Sequence, residues 1–333
     1  MKRALVASFF SYKGGAGRTT STLNTTYYLV TEVLRPTRDR PLLIVDADTE
    51  SSGISYLLTK NVTGFKSADR SVQGFCVAAN NNTNLFQPDN GAPMPDLFSA
   101  YSELNGKFIE VGDQFGVDPQ AVLLLRSNVD YDKSSESYVD PIDKLVKLAN
   151  HICKCPIIFD TPSGTQALTK ASLRNSNTII CHMRPTAQFQ QGTRDYLKRQ
   201  LEDEDSPLAF HDIVLCPSVV PLDPVMIDGE RYPEAYQKRL KEFVEEMKEI
   251  ASGCTEVNII DLMTNATPER FYRREFANDL RPYHEKAVVG IPEITRFKWR
   301  EGLLSQVTDL SVEEKLACER YSYLANIIAG NAD

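Results

Sequence analysis

The segment Lys13-Gly14-Gly15-Ala16-Gly17-Arg18-Thr19-Thr20 decides the reading of this 333-residue chain, because of what stands on either side of it. Before it runs Ala4 to Phe10, short and apolar like a strand, and after it Thr19 to Leu34 carries helix-length sequence that stops before Pro36. Strand, glycine-rich turn and helix in that order make a cradle for an anion. Three glycines in four positions let backbone N–H groups turn inward on phosphate oxygens, and the helix N-terminus adds the positive end of its dipole. The hydroxyl of Thr19 is placed to ligate Mg2+, and a cation at Arg18 can reach β- and γ-phosphates. For the glycines taken alone, the alternative is a plain turn.

Working outward, Pro41-Leu-Leu-Ile-Val-Asp46 is a continuous apolar run that ends in a carboxylate, as expected of a strand buried on both faces. Similar runs occur at Ala121 to Leu125, Pro156 to Phe159, Asn177 to Cys181, Asp212 to Leu215 and Val257 to Ile260, mostly with helix-length sequence between them. That alternation predicts an α/β fold: a doubly wound, mostly parallel sheet with helices on both faces. The chain reads as a single domain over 1–333, with a loop insertion over 61–119 and a helical excursion over 222–252. Within these, Ala78 to Asp96 is polar and turn-rich, and Tyr236 to Ile250 is an amphipathic helix with Leu240, Phe243, Val244 and Met247 on one stripe. Ser311 to Ala329 forms a last helix.

The glycine-rich segment resembles the deviant Walker A loop, K-G-G-x-G-K-T-T, of the ParA/MinD family of P-loop ATPases, a SIMIBI-like group of P-loop NTPases. Lys13 matches the family's additional lysine, and the resemblance implies that it reaches across a dimer interface to the nucleotide of the opposite subunit. Gly14, Gly15, Ala16, Gly17, Arg18, Thr19 and Thr20 would then bind the nucleotide, with Thr19 also on the metal. Arg18 departs from the family's usual lysine, and its forked planar head is not equivalent to an ammonium at a tight site. It is read as a working variant of a K-G-G-x-G-R-T-T subgroup, with a degenerate site as the alternative.

Val45-Asp46-Ala47-Asp48 stands where the family has D-x-D; by similarity Asp48 orients the attacking water and Asp46 supports the Mg2+ shell. The alternative is two solvated turn aspartates. Pro156 to Asp160 with Thr161-Pro162-Ser163-Gly164 resembles the Walker B strand and the segment that senses the γ-phosphate, so Asp160 would hold Mg2+ through water and Gly164 would approach the phosphate. Cys181 to Gln188 resembles the loop after the next strand, and Gly290-Ile291-Pro292-Glu293 is similar to a late loop near the base. Glu50-Ser51-Ser52-Gly53 departs from the D-P-Q-x-N style of plasmid-partition members.

Composition bounds the rest. With 42% hydrophobic and 25% charged residues the chain is of globular type, and no apolar run of about 18 residues is present to span a bilayer. The net charge of −8 argues against a whole-surface grip on DNA. A local patch stays open: Thr267 to Arg300 holds eight Lys or Arg against five Asp or Glu, interleaved with aromatics, where a solvated surface is the alternative. Seven cysteines without a C-x-x-C pattern fit free thiols in a reducing, cytoplasmic setting, and argue against the iron–sulfur carriers of similar fold. The four histidines show no metal-ligand spacing. Together these readings lead to an ATP- and Mg2+-binding ATPase that hydrolyses slowly, forms a homodimer with ATP and controls a separate protein partner. The alternative is a catalytically weak nucleotide-binding regulator or scaffold.

Overall fold

The computed structural model describes residues 5–49, 51, 53–60, 71–81, 107–127, 139–152, 155–184, 186–202, 212–222, 225–227, 230–232, 234–252, 257–261, 269, 272–285, 290–298 and 301–330. In chain order the elements are β1 (Val6–Ser11), α1 (Arg18–Tyr28), β2 (Leu42–Asp46), α2 (Gly53–Thr59), α3 (Val72–Asn81), β3 (Ile109–Glu110), β4 (Val122–Leu125), α4 (Val139–Ile152) and β5 (Ile157–Asp160). There follow α5 (Ala167–Asn175), β6 (Thr178–Met183), α6 (Ala187–Glu202), β7 (Asp212–Val220), β8 (Val225–Ile227), β9 (Glu230–Tyr232), α7 (Glu234–Ser252), β10 (Asn258–Asp261), α8 (Ala277–Glu285), β11 (Ile291–Pro292) and α9 (Val312–Ile328).

The chain divides into two compact units, one of residues 1–9 and 30–177, the other of 10–29 and 178–333. In the first unit the strand order is β1-β5-β2-β4-β3, parallel throughout except for the antiparallel β3 at the edge. Every residue of β2, β4 and β5 is buried, which is why these strands read as unbroken apolar runs without a polar face. Val72, Phe75 and Ala79 of α3, with Ile142, Leu145 and Val146 of α4, pack in one core with Leu43, Val45 and Phe159.

In the second unit β10, β7 and β6 lie side by side in parallel, and β11 adds to the far end of β7. The stripe Leu240, Phe243, Val244 and Met247 of α7 is buried as its spacing predicts. Helix α9 packs along α1, and its Tyr321 is 2% exposed.

The mostly parallel α/β class is therefore the one expected. Of the stretch 61–119, the described residues form α3, β3 and a 3-10 turn at Gly112–Phe115; Ala78 to Asn81 end α3, and the rest of the polar stretch to Asp96 lies outside the described residues. The described part of 222–252 forms the antiparallel hairpin β8-β9 and α7. Helical sequence expected through Leu34 is α-helical only to Tyr28 and widens into a π-helical turn over Leu29–Leu34.

Candidate nucleotide site

The phosphate-type loop lies wholly in the second unit. Gly15 and Gly17 adopt φ of 81° and 73°, the left-handed conformation that glycine takes without steric cost, and Gly17 caps α1. The Ser21 N–H donates to the Gly17 carbonyl at 3.0 Å, closing the first helical turn. From β7, the Ser218 hydroxyl donates to the Ala16 carbonyl at 2.5 Å and so anchors the crest of the loop.

Beside the loop opens a cavity of about 250 Å3. One wall is Gly15, Gly17, Thr20 and Ser21; the others come from Arg184 after β6, Ser218 and Val219 of β7, and Ile291, Pro292 and Glu293 at β11. Phe297, Lys298, Glu301 and Tyr321 complete it. The cavity thus sits at the carboxyl ends of parallel strands, where open α/β sheets take their ligands.

Two solved structures align over nearly the whole length. A ParA family ATPase from Chlorobium tepidum matches with TM-score 0.51 and 14% identity, covering 96% of this chain and 97% of that one. The pNOB8 ParA bound to nonspecific DNA matches with TM-score 0.51 and 13% identity, covering 98% of each. The chain has the fold of the ParA ATPases. No family model matches the sequence, and no curated protein matches it.

On this ParA fold the sequence-derived residues fall into two groups. In the second unit Lys13 is exposed, its ammonium donating to the Gln188 side chain at 2.5 Å and lying 5.8 Å from the Phe189 ring centre. Thr19 is half-buried and Thr20 buried. The Arg18 side chain is buried too, and its guanidinium donates to the Ser11 hydroxyl at 3.2 Å. Burial, with the Arg18 cation beside it, pushes His182 down to about 3, so this histidine is neutral.

In the first unit β2 and β5 run in register, so that Asp46 stands opposite Asp160, and the Ala47 N–H donates to the Asp160 carbonyl at 2.9 Å. Asp46 is fully buried and accepts from the Ser55 N–H at 2.9 Å, the Ser55 hydroxyl at 2.5 Å and the Ser127 hydroxyl at 3.3 Å. Asp48 is 5% exposed and accepts from the Ser51 hydroxyl at 2.9 Å. The alternative of two solvated turn aspartates does not fit such burial. Gly164 has φ 80°, and Thr161 donates both its N–H and its hydroxyl to the Phe9 carbonyl.

Burial, and then the opposing Asp160, raises Asp46 from 3.8 to about 7. Two carboxylates pressed together in this way are a donor set that a cation relieves. Among the described residues no three His, Cys, Asp or Glu side chains gather into a closed metal cage.

Reading the sequence missed the serines. Ser55 and Ser127 hold Asp46, Ser51 holds Asp48 and Ser218 holds the loop; only the placing of Ser51 and Ser55 shortly after the aspartates gave any signal. Among the described residues five cysteines are buried free thiols, and burial raises Cys76 and Cys181 to about 12. No described helix is long and apolar enough to cross a membrane.

Proposed function

We propose that this chain binds ATP with Mg2+, hydrolyses it slowly, and uses the nucleotide state to switch between monomer and homodimer, thereby controlling a separate protein partner. The observation that carries this reading is the Gly15-Ala16-Gly17 turn at the N-terminus of α1, with Gly15 and Gly17 left-handed, opening onto a cavity of about 250 Å3 at the ends of β6 and β7. In this reading the loop N–H groups hold phosphate oxygens, and the walls from β7 and β11 enclose the nucleoside. By the resemblance in sequence, Thr19, Asp46 and Asp160 are the candidates for Mg2+, which supplies positive charge against the phosphates when bound. Asp48, oriented by Ser51, would hold the attacking water in line, and Gly164 would bring a backbone N–H to the γ-phosphate. Lys13, exposed and held at the surface of α6, would leave Gln188 for the nucleotide of the opposite subunit. A γ-phosphate contacted by both subunits favours the dimer, and hydrolysis removes that bias.

The test is the light-scattering mass of the purified protein with Mg2+ and ATP, then with Mg2+ and ADP. A doubled mass with ATP alone, strengthened in Asp48→Ala and weakened in Lys13→Ala with nucleotide binding kept, is the expected outcome. An unchanged mass in all conditions would remove the switch and the role of Lys13.

One observation favours a second reading, a nucleotide-binding regulator with little turnover: the Arg18 guanidinium is buried and bonded to Ser11. Arg18→Lys separates the two. A large gain in phosphate release supports the regulator, whereas a loss supports an arginine adapted to catalysis. The fold is shared with a ParA solved on nonspecific DNA, and DNA is a further partner to test.

A further inference from the structure

Two non-glycine residues among those described have positive φ, Arg35 and Val219, and only Val219 is β-branched, at φ 58°. In the left-handed region Cβ crowds the following carbonyl, and a second branch at Cβ makes the crowding worse. Such a conformation persists only where the neighbours on both sides hold it.

Both neighbours of Val219 are held. Ser218 pairs with Ile291 of β11, and its hydroxyl donates to the Ala16 carbonyl at 2.5 Å. Val220 pairs with Pro292, and its carbonyl accepts from the Glu293 N–H at 2.8 Å. Between these two pairs the register slips by a residue, so Val219 is the bulged residue of β7. Glycine is the residue a left-handed bulge favours. The valine side chain has a place to go: it lines the cavity, and its Cγ2 lies 3.5 Å from where a Cβ on Gly17 would stand.

We infer that Val219 is a positioning residue of the nucleotide pocket, its strained backbone aiming a branched side chain against the Gly17 turn so that loop and wall keep one shape. This rests on the reading of the cavity as the nucleotide site. Relieving the strain and emptying the wall therefore act in opposite directions: glycine at 219 stabilises the fold and loosens the pocket.

The experiment compares wild type, Val219→Gly, Val219→Asn and Val219→Ile in the full chain. It reads the thermal midpoint without nucleotide and the binding of a fluorescent ADP with Mg2+. Val219→Gly is expected to melt about 2–4 °C higher while its ADP dissociation constant rises at least about fivefold, roughly the loss of one buried methylene or more. Val219→Asn, which tolerates the left-handed region, should follow it, and Val219→Ile, which keeps the branch, should bind as wild type does. ADP binding by Val219→Gly or Val219→Asn equal to wild type overturns the inference. So does a fall in midpoint together with binding in both, the mark of a merely structural residue. Wild type that binds no nucleotide at all overturns the reading of the cavity as well, which separates the two failures.

Discussion

Burial favours the neutral form of both Asp46 and His182 deep in the protein, and as pH changes the two pull stability in opposite directions. Burial, then Asp160, raises Asp46 to about 7, so the folded chain keeps a proton that the unfolded chain gives up above 3.8. Its contribution falls as pH rises from about 4 to about 7. His182, lowered by burial and then by Arg18 to about 3, refuses a proton that the unfolded chain takes up below 6.5. Its contribution is lost as pH falls from about 6.5 to about 3. The two windows overlap and offset each other in the wild type. Urea unfolding at about pH 4.5 and about pH 8 should separate them: Asp46→Asn gains stability over wild type mainly at the higher pH, His182→Gln mainly at the lower. Equal shifts at both values would refute the assignment. The aspartate was legible as the carboxylate ending an apolar run; its hydroxyl partners were not, because Ser127 is 81 residues away and reaches Asp46 only once β4 lies beside β2.

Among the elements, β11 walls the cavity with Ile291 and Pro292, and α9 adds Tyr321. Ser311 opens α9 with a capping box: its hydroxyl accepts from the Glu314 N–H at 3.3 Å, and the Glu314 carboxylate accepts from the Ser311 N–H at 2.8 Å. The Glu314 carboxylate also accepts from Arg296 at 2.6 Å, tying the helix start to the segment behind β11. Ser311→Ala should cost about 1 kcal/mol in chemical denaturation; no loss would mean that packing of α9 on α1 holds the helix without its cap. At β11, Gly290 has φ 75°, and a Cβ there would lie 2.5 Å from the Pro217 carbonyl oxygen. Gly290→Ala should therefore push β11 off β7, lowering stability by more than about 1 kcal/mol and weakening ADP binding in the same titration. Unchanged binding would show that β11 does not wall the site. Helices with a clear apolar stripe, such as α7, were readable from spacing. Strands of two or three residues, β3, β8, β9 and β11, were not, since a period of two needs more residues to show itself.

For the molecule as a whole, the question of DNA turns on whether the positive charge in Thr267 to Arg300 is available. Within its described part, Arg273 sits on Glu275 at 2.7 Å, Arg296 on Glu314 at 2.6 Å and Lys298 on Glu293 at 2.8 Å. Cations already matched by carboxylates release fewer counterions from a phosphate backbone. Replacing Arg273 and Arg274 together should change nonspecific DNA affinity by less than about twofold in a low-salt titration; a loss of tenfold or so would make this stretch the DNA face. The amino-acid sequence by itself determined the strand-loop-helix cradle, the buried parallel strands, the carboxylates at their ends and the amphipathic stripe of α7, because each is a pattern among consecutive residues governed by local sterics and burial. Only the tertiary structure decided which strands neighbour which, and with that the serines that hold Asp46 and the loop, the turning of Arg18 onto Ser11, and the left-handed valine opposite Gly17. Ser218 meets Ala16 across 202 residues of chain; contacts at that distance follow from how the sheet is ordered, which no local pattern encodes.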